Sequence, residues 1–173
     1  MHLDTIFERL HLLGLREHWV PCTNEEIETL ELYYQIALPS TYRDFLQTLG
    51  QGAGEFLKGS HFLYKHLPDL QIGAREILAE TTLLPLLPED AFIFFMHQGY
   101  EFMFFRLSEG NNPPVYQFHE ARPQHEFVLF ADSFTDYLWL VCKGIEEWQK
   151  KLQTILDNMD SQPFIESYDD EDD

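Results

Sequence analysis

The chain has 173 residues, is 45% hydrophobic and holds 15 Phe, so it can bury a sizeable core and is not a disordered segment. No apolar run approaches the roughly 20 residues that span a bilayer, residues 1–20 mix charges and His with Leu unlike a secretory leader, and two cysteines make no disulfide framework, so a soluble cytosolic protein is expected. Eleven Lys+Arg against 30 Asp+Glu give a net charge of -19, which repels nucleic acid and anionic lipid and favours basic protein partners.

Leu3, Ile6, Phe7, Leu10 and Leu13 recur at helical spacing and predict a first helix that ends near Gly14. Thr23-Asn24-Glu25-Glu26 matches a capping box, because the Thr hydroxyl can take a backbone N–H while Glu26 reaches back. Ile27, Leu30 and Tyr34 form the apolar stripe of that second helix, with Glu25, Glu28 and Glu31 on its outer face. Pro39 suits the start of a third helix, in which Tyr42, Phe45, Leu46 and Leu49 share one face. Gly50 stops it, and Gly52 and Gly54 are expected to make a tight, mobile connection. Phe56-Leu57 and Phe62-Leu63-Tyr64 are short strand candidates. Pro68 and Asp69 open a fourth helix through Ile72, Ile77 and Leu78, whose end before Pro85 is not marked.

Residues 91–97 and 100–107 are Phe-rich strands joined at Gln98-Gly99, and their apolar character on both faces predicts central strands covered on two sides. Residues 115–119 and 126–131 are two more strands, turned at Ala121-Arg122-Pro123. Asp132 or Ser133 caps the last helix. There Phe134, Leu138, Val141, Ile145, Trp148, Leu152, Ile155 and Met159 alternate spacings of four and three. Gly144 leaves open whether that helix is continuous. Its part over residues 145–160 is expected to pack back on the rest of the chain as a monomer; pairing with a second copy is the alternative. Residues 161–173, beyond Met159, carry an acidic run and are expected to be disordered.

The Leu38-Pro39-x-x-Tyr42-Arg43-x-Phe45-Leu46 helix, the turn with Gly50 and Gly52, Ile93-Phe94 with Gly99, and Ser133-Phe134-x-x-Tyr137-Leu138 together resemble the SUKH superfamily. That superfamily includes bacterial immunity proteins and a fungal regulator of cell-wall synthesis. The resemblance covers about residues 23–142 and implies an α+β fold: an antiparallel sheet of four to six strands packed by helices, here closed by a long C-terminal helix. One such unit is expected over residues 1–160, with residues 145–160 as a helical extension of the family core. The resemblance also implies a protein-binding role, in many relatives the neutralisation of a cognate toxin; the alternative is an intracellular regulatory scaffold.

Chemical motifs are sparse. Eight His are scattered without the i, i+4 pairing that zinc sites favour, and His119 with His125 beside a strand turn is the weak metal candidate. Gln51-Gly52-Ala53-Gly54 follows a helix and lacks Lys-Ser or Lys-Thr, so it is no phosphate loop. Cys22 before a helix start invites a reactive thiolate, but a structural Cys is the simpler reading. Glu89-Asp90 reads as a polar turn in preference to a catalytic pair. Neither catalysis, cofactor nor metal is expected. Two stretches without Lys or Arg, 17–42 and 76–105, each hold five acids. The expected partner is therefore a basic toxin domain that acts on nucleic acid, met by Glu55, Glu101 and Glu120.

Overall fold

The computed structural model describes residues 2–80, 86–122 and 127–160. Helix α1 (Leu3–Leu12) buries Ile6 and Leu10. Helix α2 (Asn24–Tyr34) starts at the capping box read from sequence: Glu26 N donates to Thr23 Oγ1 at 3.2 Å, and Thr23 N donates to Glu26 Oε2 at 2.8 Å. Helix α3 (Ser40–Leu49) begins directly after Pro39 and buries Tyr42, Phe45, Leu46 and Leu49, all four residues of its expected face. Glu31 is not simply part of a solvated outer face. It accepts from Arg43 of α3 and, at 2.7 Å, from the Leu38 backbone N–H, which fixes the α2–α3 corner.

The Gly-rich turn is a packed ladder. Strand β1 (Trp19–Val20) pairs antiparallel with β2 (Gly52–Ala53), a pairing too short to show in the hydrophobic pattern. Gly54 has φ +56°, and a Cβ there would stand 2.2 Å from the Glu17 carbonyl oxygen, so glycine is required by close approach. The strands expected at Phe56-Leu57 and Phe62-Leu63-Tyr64 do not form. Phe56 and Phe62 meet edge to face at 5.9 Å and enter the core from turns. His61 alone bridges to a strand, at Met96. Short apolar runs report burial before they report strand.

Helix α4 (Leu67–Ala79) buries Leu67, Leu70, Gln71 and Ala74. Ile72, one of the apolar residues through which the helix was expected to run, is 58% exposed. Strands β3 (Ala91–His97), β4 (Glu101–Arg106), β5 (Val115–His119) and β6 (Val128–Ala131) make one antiparallel sheet in the order β3-β4-β5-β6. The turn between β3 and β4 takes three residues, with Gln98 and Gly99 at positive φ. The expected turn residue Pro123 and the predicted first residue of the last strand, Glu126, lie outside the described residues, as do Pro85 and residues 161–173.

Each edge of the sheet is treated differently. On β3, the buried Gln71 amide acts as a substitute strand: its Nε2 donates to Ile93 O at 2.6 Å and its Oε1 accepts from Ile93 N at 3.1 Å. Asp90 clips the start of β3 to the end of β4, accepting from Arg106 Nε at 2.9 Å and from both the hydroxyl and the backbone N–H of Ser108. This clip, not chemistry, accounts for Asp90.

One sheet face carries Phe92, Phe94 and Phe105 and is covered by α3 and by helix α5 (Phe134–Asp160). The other carries Phe102, Phe104 and Phe118, across which Phe127 lies. Helix α5 is capped by Ser133, whose Oγ accepts from Asp136 N at 3.1 Å, and it runs unbroken through Gly144.

Tyr42 is fully buried, and its hydroxyl has no hydrogen-bond partner among the described residues. Tyr42→Ala should cost about 3–5 kcal/mol in urea unfolding, as should Phe134→Ala, whereas Tyr42→Phe should be neutral or stabilising. A large loss in Tyr42→Phe would contradict this packing.

Hydrogen bonds from Ser108 first, then Arg106, hold the Asp90 carboxyl down from 3.8 to about 2. A folded pKa below the unfolded one adds stability above the unfolded value, and that stability is lost as pH falls through the folded one. Asp90→Asn should therefore be less stable than the parent at neutral pH. The gap should close between pH 3.8 and about 2, as read by thermal melts across that range.

Candidate functional site

Strand β6 is the last strand of the sheet, and among the described residues no strand pairs with its outer edge. Its side chains nonetheless remain apolar on both faces. Val128, Leu129 and Phe130 are all exposed, Leu129 to 52%. Native edge strands are usually guarded by charge, proline or a covering element, as β3 is by Gln71. Beside β6, the first turns of α5 add Trp139 and the exposed Leu140, and together with Leu129, Phe130, Ala131, Asp132 and Asp136 they line a shallow depression of about 310 Å³.

The position of this surface follows from the core. Phe130 sits against Tyr137 with ring centroids 6.0 Å apart, and Tyr137 packs on Phe94 at 5.3 Å, so the depression is anchored to the central aromatic cluster. Acids stand around it: Asp132 and Asp136 line it. Glu101 begins β4 and accepts from Gln117 Nε2, and Gln117 lies opposite Val128 in the ladder. Arg122 donates to the same Gln117. Glu101 is thus partly buried on β4, two strands from β6 and linked to the β5–β6 ladder through Gln117.

The three acids proposed from sequence divide. Glu101 and Glu120 lie at one end of the sheet, with Glu101 paired to His119 and the exposed Glu120 donating its backbone N–H to Tyr100 O at 2.9 Å. Glu55 belongs to the turn bordering the opposite edge, at β3, where it holds Lys58 at 2.8 Å. Val128, Leu129, Phe130 and Leu140 were missed by sequence reading. Residues 126–131 were read only as a further strand, and nothing in that reading distinguished an exposed apolar strand from a covered one.

A family model for SUKH proteins, described as SMI1-KNR4 cell-wall, matches residues 24–138. The chain belongs to this SUKH family. The match runs from the first residue of α2 to Leu138, so it includes the β6 edge and the start of α5 with Asp136, and it stops just before Trp139 and Leu140 of the depression. No curated protein matches the chain.

Other chemistry in this SUKH chain is confined. Burial, aided by Glu26, pushes the Cys22 thiol up to about 12, and burial pushes Cys142 up to about 11, so both remain thiols. No group of three His, Cys, Asp or Glu among the described residues can hold a metal ion. His119 accepts from the Ala121 N–H, and His125 lies outside the described residues. No described helix is long and apolar enough to cross a membrane.

Because Leu129 and Leu140 face solvent, Leu129→Thr and Leu140→Lys should each change unfolding free energy by less than about 1 kcal/mol in urea titrations. A loss as large as that of Phe134→Ala would show that these residues serve the core and not an external surface.

Proposed function

We propose that this SUKH chain is a cytosolic protein-binding protein that neutralises a basic, nucleic-acid-targeting toxin by direct binding, without catalysis. The observation that carries the reading is the apolar β6–α5 surface on a sheet edge that no other described strand covers, lined by Asp132 and Asp136, with Glu101 linked to the β5–β6 ladder through Gln117. A nucleic-acid enzyme presents a cationic groove to its polyanionic substrate. An apolar centre inside an acidic rim fits the wall of such a groove: the apolar part holds the complex, while the carboxylates, with Glu120 exposed nearby, speed its formation. The net charge of -19 adds long-range attraction to the same partner.

A second reading draws on the family's description, which names the cell wall. In it the same surface holds a regulatory partner, and no toxin is involved. The two readings separate in one experiment: co-expression with the toxic domain that co-purifies with the chain. Neutralisation restores growth; a regulator binds its partner and protects nothing.

Stopped-flow association with that toxic domain should slow steeply as salt rises. Reversing Glu55, Glu101 and Glu120 to Lys should cut the on-rate about tenfold or more, with most of the effect from Glu101 and Glu120. Leu129→Thr with Leu140→Lys should instead raise the off-rate. Salt-insensitive association, with all of these variants binding like the parent, would overturn the proposal.

A further inference from the structure

Helix α5 is 27 residues long, and only its first half is used by the fold. Two polar contacts tie it to α1 and the turn after it: Glu146 pairs with Arg9 at 2.6 Å, and Gln149 Nε2 donates to the Leu13 carbonyl at 3.1 Å. Beyond them Leu152, Ile155, Leu156 and Met159 are all exposed, Met159 to 67%, and Trp148 just before them is 62% exposed. The expectation that this stripe packs back on the chain is not met, because α1 ends at Leu12 and covers α5 no further than Gln149.

We propose that this stripe is the seam of an antiparallel homodimer, with the same segment of a second copy as its occupant. Ile145, Trp148, Leu152, Ile155 and Met159 repeat at spacings of three and four, the period of a two-helix seam. Leu156 widens it. The five exposed side chains from Trp148 to Met159 present roughly 500 Å² per copy, so a pair buries about 1,000 Å², the size at which a specific interface becomes tenable. Two heptads alone are a marginal coiled coil, but here the helix is already nucleated by the buried half of α5, which removes the main cost of ordering it.

Charge selects the occupant. In a chain with 30 acids, the positions flanking the seam are Gln149, Lys151, Leu156 and Asn158, with no carboxylate among them. Glu146 is turned toward Arg9 of α1, and Glu147 and Asp157 fall outside the positions that flank the seam. Two copies therefore meet here without the like-charge repulsion that opposes them elsewhere. A basic partner finds no acid beside the seam and meets Lys151 instead, which separates this surface from the acid-rimmed depression at β6. The antiparallel sense follows from the tails. Residues 166–173 hold six acids and no base, and a parallel pair would bring both tails together. Running antiparallel, Leu152 faces Ile155 and Trp148 faces Met159 of the other copy, the latter a sulfur–aromatic contact.

Sedimentation equilibrium of the full chain should show a reversible dimer. Leu152→Glu should raise its dissociation constant about a hundredfold or more while leaving circular dichroism and the urea midpoint close to those of the parent. On oxidation, an equimolar mixture of Lys151→Cys and Asn158→Cys chains should form a disulfide-linked dimer that neither chain forms alone. A monomeric parent, or a dimer indifferent to Leu152→Glu, overturns the proposal. Cross-linking of either variant by itself, or none in the mixture, overturns the antiparallel register.

Discussion

Tyr42 holds the two layers of this fold together. Its ring stands 5.2 Å from Phe105, 5.4 Å from Phe134, 5.8 Å from Phe92, 5.9 Å from Phe45 and 6.0 Å from Phe94. One side chain of α3 therefore touches β3, β4 and the first turn of α5 at once. Most of these contacts are edge to face, the arrangement that aromatic quadrupoles favour. Because Phe134 and Tyr137 are fixed by this cluster, the start of α5 is fixed, and so is the β6 edge that Tyr137 supports through Phe130. The surface proposed to bind a partner is thus anchored, through Tyr137 and Phe134, to the Tyr42 cluster.

The sequence made the helices legible and the edges illegible. Periodicity found α2, α3 and the stripe of α5, with continuity through Gly144 left open, and the capping box at Thr23 and Glu26 formed as read. Strands β3 to β5 were found to within about a residue at each end, because Phe-rich runs of that length allow few other structures. What failed was local. The β1–β2 ladder is two residues long and leaves no period to detect. Phe56 and Phe62 looked like strand because burial and strand share a signature in short runs. In α4 the sequence reading named the apolar Ile72, Ile77 and Leu78, whereas the residue that mattered there was polar: Gln71, completing the edge of β3.

Little of the candidate site was legible. Of the acids named from sequence, Glu101 and Glu120 lie at one end of the sheet and Glu55 borders its β3 edge, since sequence does not say which strand ends are neighbours. The apolar half of the site was hidden because Val128, Leu129 and Phe130 are indistinguishable in composition from the buried strands before them. Their exposure is a consequence of order in the sheet. Helix α5 shows the same effect, its stripe continuing past the point where α1 ceases to cover it. These two apolar surfaces stand in different electrostatic settings, and the two proposals give them different partners.

The most direct test of that assignment is hydrogen–deuterium exchange of the full chain, free and saturated with the toxic domain it is proposed to neutralise. The account predicts new protection over Val128–Ala131 and the first turns of α5, with exchange beyond Gln149 unchanged by the toxin. Protection centred on α2 or on the β3–β4 turn, with β6 unaltered, would contradict it.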